Sequence, residues 1–201
     1  MTEEEQVRLH NIADTDYEIY ALLKQRWSPR AFRDELIPDR SLKKLFEAAR
    51  WAASSNNEQP WRFIYANKGT VAYDKIIDCL SDFNKQWASN APTLILTAYK
   101  ETHKNNNENF HALQDLGFSM GNMTVQAQYM GIAIHQMAGV DWKKAETEFD
   151  VPPGFHISTA VAIGYYGGEL ESLSPELREE EIRDRIRMPQ DDFVFLNAWR
   201  Q

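Results

Sequence analysis

The strongest constraint on the fold is a run of uncharged residues, Thr93-Leu94-Ile95-Leu96-Thr97-Ala98-Tyr99, which follows a turn at Asn90-Ala91-Pro92. The run is far too short to cross a membrane, and its composition is typical of a β-strand buried on both faces. Because such a strand lies inside a sheet, other parts of the chain must supply its neighbours and its cover.

The other predicted elements are strands that alternate with helices. Aromatic alternation in Trp61-Arg62-Phe63-Ile64-Tyr65 predicts a half-buried strand, and Thr159-Ala160-Val161-Ala162-Ile163 predicts another core strand. Helical patterns cover a short segment leading into Arg26 and residues 39–53, 70–81, 110–130 and 141–149. Since no linker or internal repeat divides the chain, we predict one α+β domain over residues 1–201 with a helical tail.

Two glycines, Gly117 and Gly121, lie one turn apart in the long predicted helix over residues 110–130. Polar neighbours such as Asp115 and Asn122 exclude a lipid environment for this pair. The spacing therefore predicts the close approach of another helix or of a partner subunit.

Composition excludes several classes of protein. The chain of 201 residues has 22 basic and 30 acidic side chains, a net charge of -8, so no global field favours nucleic acid or a membrane surface. The amino terminus is acidic, unlike a secretion signal, and the single cysteine, Cys79, excludes an internal disulfide, so we expect a cytoplasmic protein. The five histidines show no metal-ligand spacing, and we expect no metal site.

Two arginine-rich segments stand near opposite ends of the chain. Extended backbone in Arg26-Trp27-Ser28-Pro29-Arg30 would aim two guanidinium groups and a hydroxyl toward one anion. The spacing returns in Arg183-Asp184-Arg185-Ile186-Arg187, ahead of Pro189, so the two clusters could converge. The alternative is a solvated helix face, on which Arg183 and Arg185 pair with Glu179 and Glu181.

A polar loop, Ser54-Ser55-Asn56-Asn57-Glu58-Gln59-Pro60, lies between a predicted core helix and a predicted core strand. The amides of Asn57 and Gln59 both donate and accept, so they could match the edge of a heterocyclic ring. The alternative is that both residues only form a turn.

Together these segments resemble the FMN-dependent nitroreductase family, in which they occur in the same order, and the likeness runs from about residue 24 to the end. Further segments that look like the family's are Asp115-Leu116-Gly117, Met137-Ala138-Gly139-Val140-Asp141, Val151-Pro152-Pro153-Gly154 and Ala162-Ile163-Gly164-Tyr165. The resemblance implies a central mixed β-sheet flanked by helices, with a C-terminal extension onto a dimer partner. Trp27, Ala53 and Ala138 depart from residues common in the family, which affects the subfamily more than the cofactor.

The resemblance also implies roles for individual residues. Arg26 and Ser28 would contact the phosphate or ribityl chain of tightly bound FMN, Arg185 and Arg187 would complete the phosphate clamp, and Arg30 would reach the ring. Ser54, Ser55, Asn57 and Gln59 would contact the ribityl chain and ring edge. The backbone around Ala138 and Gly139 would approach the ring nitrogen that exchanges hydride. Phe83, Trp87 and Phe110 fall in the region that varies around the substrate pocket in relatives.

The predicted activity is therefore flavin-mediated, with no side chain acting as a nucleophile. A homodimer would pass hydride from NADH or NADPH through FMN to a small electron-poor acceptor of nitroaromatic, quinone or enal type, by a ping-pong mechanism. Two alternatives stay open: a non-catalytic FMN storage or sensor protein, and a hydrolase that uses Cys79 with His111 or His135.

Overall fold

The computed structural model describes residues 2–199, and its centre is a sheet of four strands. The strands are β1 (Trp61–Asn67), β2 (Thr93–Lys100), β3 (Ile132–Met137) and β4 (Phe155–Tyr165), in the order β1-β2-β4-β3. Each neighbouring pair is antiparallel, so the prediction of a mixed sheet was wrong for the described residues. The reason is that β2 and β3 run parallel but are separated by β4, which hydrogen-bonds to both.

The predicted central strand is confirmed, because Thr93 to Ala98 of β2 are all buried. Strand β3 was not predicted. It is short and begins directly after Gly131, so its pattern was absorbed into the connection that follows the long helix.

Eight α-helices surround the sheet within residues 2–199. They are α1 (Glu3–His10), α2 (Ala21–Gln25), α3 (Asp39–Arg50), α4 (Val71–Cys79), α5 (Asp82–Ala88), α6 (Ala112–Tyr129), α7 (Trp142–Glu148) and α8 (Pro175–Glu181). Helices α1, α5 and α8 were not predicted individually. The expected helical tail is helical only in α8 and in a 3-10 turn at Gln190–Asp192.

The two faces of the sheet pack into two separate cores. Side chains alternate along β2, so Leu94 and Leu96 lie in one core while Ile95 lies in the other. The first core includes residues of α4, α5, α7 and α8, and the second is formed with α3 and α6. Helix α6 is therefore packed against both the sheet and α3.

Gly117 and Gly121 lie on the exposed side of α6. A Cβ atom built on either residue would meet nothing within 4 Å, so no other described element approaches there. Of the two partners that this spacing predicts, another helix of residues 2–199 is thereby excluded. No helix in the same part of the chain has the length and hydropathy needed to cross a bilayer.

Candidate functional site

The two arginine-rich segments converge. Arg26, Arg185 and Arg187 line one cavity of about 490 Å³, and the Nη1 atom of Arg26 donates to the Oγ atom of Ser28 at 3.2 Å. Burial, and then the charge of Arg187, lower the pKa of Arg26. Within residues 2–199 no carboxylate forms an ion pair with any of these three arginines. Asp14 and Asp16 also line the cavity, so its guanidinium groups outnumber its carboxylates by one, and the remaining positive charge suits an anion.

The solvated helix face is excluded as an explanation of this second cluster. Helix α8 ends at Glu181, and of the three arginines in this segment only Arg183 forms an ion pair within the described residues, with Glu180 on the surface. Arg185 instead donates its Nη1 hydrogens to the carbonyl oxygens of Asn11, at 2.6 Å, and Lys24, at 2.9 Å. Part of the Arg185 guanidinium thus fastens the amino-terminal segment to the tail.

The segment from Arg26 to Arg30 is anchored at its second half. The Glu181 carboxylate accepts hydrogen bonds from the backbone N–H of Arg30, at 3.0 Å to each oxygen. His135 donates its Nδ1 hydrogen to the carbonyl oxygen of Pro29 at 2.9 Å. These bonds hold the extended backbone that the sequence predicts.

Arg30 points away from the arginine cavity toward α5. Its guanidinium carbon lies 5.9 Å from the ring centroids of both Phe83 and Trp87. Its Nε atom is buried and has no hydrogen-bond partner among the described residues. A buried donor without a partner is costly, so this atom is available to a ligand or to water.

The turn at Ala138 and Gly139 is held by α5. The carbonyl oxygen of Gly139 accepts from the backbone N–H of Ser81, at 2.9 Å, and from the Nδ2 atom of Asn84, at 3.1 Å. A Cβ atom on Gly139 would lie 2.5 Å from the Oγ atom of Ser81, so the turn requires glycine. Asn84 was missed because α5 itself was missed, although Ser81 is a recognisable N-cap.

The polar loop adopts a strained backbone. Asn56, Asn57 and Gln59 have φ angles of 51°, 55° and 50°, a region that side-chain-bearing residues rarely occupy. The backbone N–H of Ser55 donates to the buried carboxylate of Asp115 at 3.1 Å, and that of Gln59 donates to Ser54 Oγ at 3.0 Å. The loop is therefore a turn, as one alternative has it, but its Asn57 and Gln59 side chains stay exposed and available for binding.

Within one chain the loop and the arginine cavity lie at opposite ends of α6. Asp115, which binds the loop, is in the first turn of α6, and Gln128 is in the last. Gln128 accepts from the hydroxyl of Tyr166 at 2.7 Å, and that hydroxyl lies 3.4 Å from the carbonyl oxygen of Trp27. A rise of 1.5 Å per residue puts the two ends about 20 Å apart. The structure thus unites the arginines but does not bring Ser54, Ser55, Asn57 and Gln59 to them.

The residues of a thiol hydrolase are not arranged for that chemistry. Cys79 is fully buried, and burial raises the pKa of its thiol. Burial lowers the pKa of His135 to about 4, and its Nδ1 atom is used on Pro29, while His111 is exposed. Among residues 2–199 no group of three or more potential metal ligands is close enough to hold an ion.

Comparison with known proteins identifies the family to which this fold belongs. The profile of the Nitroreductase family matches residues 23–79 and 72–165. The chain therefore belongs to the nitroreductase family, and the predicted α+β nitroreductase fold is confirmed.

Individual relatives are consistent with this family assignment. A solved structure of an oxidoreductase containing FMN superposes with a TM-score of 0.87 at 29% identity, over 94% of this chain and 97% of that one. A "Putative NADH dehydrogenase/NAD(P)H nitroreductase" of Stutzerimonas stutzeri is 24% identical over 80% of this chain and 86% of its own length. An FMN-dependent nitroreductase from Clostridium difficile R20291 shares the fold, with a TM-score of 0.65 at 21% identity over 89% of this chain and 98% of that one.

We predict that His135 makes the protein less stable in mild acid. Its pKa is lowered from 6.5 to about 4, so below pH 6.5 the unfolded chain takes up a proton that the folded chain does not. The contribution of neutral His135 to the free energy of unfolding is complete above pH 6.5 and is lost as the pH falls toward 4. Between pH 7.5 and 5 this loss amounts to about 2 kcal/mol.

Urea unfolding of the wild type and of His135→Asn at both pH values measures this contribution. The variant should lose less stability on acidification than the wild type, whereas His111→Asn, at an exposed histidine, should behave like the wild type. Equal losses in the wild type and in His135→Asn would contradict the prediction.

Proposed function

We propose that this chain is an NAD(P)H-dependent FMN oxidoreductase that reduces small electron-poor acceptors of nitroaromatic, quinone or enal type. The observation that carries the proposal is the convergence of Arg26 and Arg187 on one cavity, next to an extended segment that ends in Arg30. Membership of the nitroreductase family and the likeness to an oxidoreductase containing FMN support it.

The residues present fit FMN in their chemistry. A phosphate monoester needs donors and positive charge; the cavity offers Arg26 and Arg187, which form no ion pair among the described residues, and Ser28 contacts Arg26. The buried Nε atom of Arg30, which has no hydrogen-bond partner among the described residues, fits an acceptor on a ring system. Bound FMN would supply the acceptance and donation of hydride.

In this proposal the chain's own residues orient the bound FMN and polarise its ring. Arg26, Ser28 and Arg187 hold the phosphate tightly, and Arg185 contributes its charge while it fastens Asn11 and Lys24. Arg30 places positive charge beside the ring, which favours a reduced, more negative cofactor. Asn84 fixes the Gly139 turn so that the backbone of this turn also faces the ring. One pocket would serve donor and acceptor in turn, which is the ping-pong order.

We further propose that the site is shared in a homodimer. Ser54, Ser55, Asn57 and Gln59 lie in the loop that binds Asp115 at one end of α6, about 20 Å along the helix from Gln128 at the end near the arginines. They could reach a cofactor held by the partner subunit's arginines if the exposed faces of α6 meet. Gly117 and Gly121 would allow that approach, and exposed Phe193, Val194, Leu196 and Trp199 give the tail an apolar surface to bury on the partner.

The spectrum of the bound flavin tests the enzyme against a storage or sensor protein. Addition of NADH or NADPH without oxygen should bleach the oxidised flavin band, and a quinone or nitroaromatic should restore it. A flavin that binds but resists both donors would favour the non-catalytic alternative. A protein that takes up no FMN would refute the proposed function altogether.

Arg187→Ala should weaken FMN binding about 10- to 100-fold, because a charge-assisted contact to phosphate contributes roughly 1.5 to 3 kcal/mol. Riboflavin has no phosphate, so its affinity should change little. Flavin fluorescence titrations measure both affinities. Arg183→Ala is the matched control, since Arg183 pairs with Glu180 on the surface outside the cavity. Equal loss of FMN and riboflavin binding would exclude a phosphate role.

Mixed dimers test the shared site. One protomer would carry Arg26→Ala with Arg187→Ala, and the other Asn57→Ala with Gln59→Ala. If each site combines arginines of one chain with the loop of the other, the mixed dimer has one intact site, and half of the wild-type FMN content returns. If each site is built from one chain, every site carries a defect and FMN content stays at the level of the parental variants.

A further inference from the structure

Glu181 is a buried acid that joins the two basic segments. It is the last residue of α8, is 5% exposed, and lies two positions before Arg183. Both carboxylate oxygens accept from the backbone N–H of Arg30 at 3.0 Å, and Oε1 also lies 3.5 Å from the backbone N of Ala31. The residues are 151 and 150 positions apart in the chain. This long-range contact fixes the backbone of Arg30 relative to the start of the tail.

The main chain of Glu181 extends the connection. Its carbonyl oxygen accepts from the Nδ2 atom of Asn11 at 3.3 Å, and the carbonyl oxygen of Asn11 in turn accepts from Arg185. Glu181 thus contacts the amino-terminal segment with its backbone and the Arg30 segment with its side chain. A shift of this residue would therefore move both of these segments.

The Glu181 carboxyl is negative when it is ionised: burial raises its pKa, and the N–H groups of Arg30 and Ala31 and the charge of Arg30 act against that shift. No described side chain forms an ion pair with Glu181; its carboxylate accepts from backbone N–H groups, and the Trp27 side chain also acts on it. The positive side chain that acts on it electrostatically is Arg30. Because the surroundings are buried, screening by water is weak, and the negative charge offsets part of the field that Arg30 produces.

We propose that Glu181 is a positioning residue of the flavin site, which holds Arg30 in place and moderates its positive charge. The inference rests on the proposed function, in which Arg30 acts on the ring. Two separable effects follow. Geometry requires an acceptor at the right distance from the Arg30 backbone, whereas the moderation of charge requires that the acceptor be negative.

Two substitutions separate these effects. Glu181→Gln keeps an oxygen that can accept from the Arg30 N–H but removes the charge. Reduced FMN carries more negative charge than oxidised FMN, so the ratio of their affinities should rise about tenfold. For a two-electron couple this ratio corresponds to a midpoint potential about 30 mV higher. Glu181→Asp keeps the charge but retracts the acceptor by one methylene, so it should weaken FMN binding several-fold and leave the potential unchanged.

The matched control is Glu179→Gln, the same charge change on the exposed side of α8, which should alter neither quantity. The reference measurement is FMN binding to the wild-type protein, and its failure would refute the proposed function and not this inference alone. If FMN binds but Glu181→Gln leaves the potential unchanged, the electrostatic role of Glu181 is refuted.

A double-substitution cycle distinguishes positioning from general stabilisation. In an Arg30→Met background the effect of Glu181→Asp on FMN affinity should disappear, because the side chain that Glu181 positions is gone, whereas the shift in potential caused by Glu181→Gln should persist, because the fields of separate charges add. An effect of Glu181→Asp on affinity that is of equal size in both backgrounds would show that Glu181 does not position Arg30. If Glu181→Gln fails to fold, Glu181→Asp still tests the geometry, since unchanged FMN affinity in that variant would overturn the positioning role.

Discussion

Arg26, Arg185 and Arg187 share one cavity without a paired carboxylate, and the rest of the site depends on how their mutual repulsion is contained. Like charges in a partly buried space raise the energy of the folded chain unless other contacts hold them. Here the restraint comes mostly from backbone groups: carbonyl oxygens bind Arg185, and the Glu181 carboxylate binds the N–H of Arg30. Because these partners do not neutralise the guanidinium charges directly, and the cavity has fewer carboxylates (Asp14 and Asp16) than arginines, net positive charge remains available to a phosphate.

A second restraint acts on the polar loop. Residues with positive φ such as Asn56 and Gln59 are unfavourable by themselves, and they persist because Asp115 and Ser54 bind the loop backbone. Since Asp115 belongs to α6, the long helix fixes the loop at one end while its other end reaches Gln128 and Tyr166 near the arginines. The same helix therefore defines both halves of the site and keeps them apart within a chain, which is the physical basis for the proposed dimer.

Local patterns predicted a good part of the fold. Strands β1, β2 and β4 and helices α2, α3, α4, α6 and α7 follow from apolar periodicity, and the Asp141 cap of α7 is confirmed by its bond to the backbone N–H of Lys144. Strand β3 and helix α5 are short and directly follow another element, so their patterns merged with those of their neighbours. The antiparallel sheet could not be predicted for a different reason. Strand order depends on which strands pair with each other, and the sequence of a single strand does not specify its partners.

The candidate site, like the fold, was predictable from the sequence only in part. The residue types alone point to an anion and a heterocycle, because guanidinium groups at alternate positions and amides in a rigid loop suit those ligands whatever the topology. Three features are determined only by the folded chain. The Nη1 atom of Arg185 donates to carbonyl oxygens, Asn84 binds the carbonyl oxygen of Gly139, and the loop lies far from the arginines of its own chain. Such facts depend on contacts between residues more than 50 positions apart, which no local pattern encodes. The chemistry of the ligand can thus be read from side chains, whereas the assembly of the site requires the packing of α6 and α8.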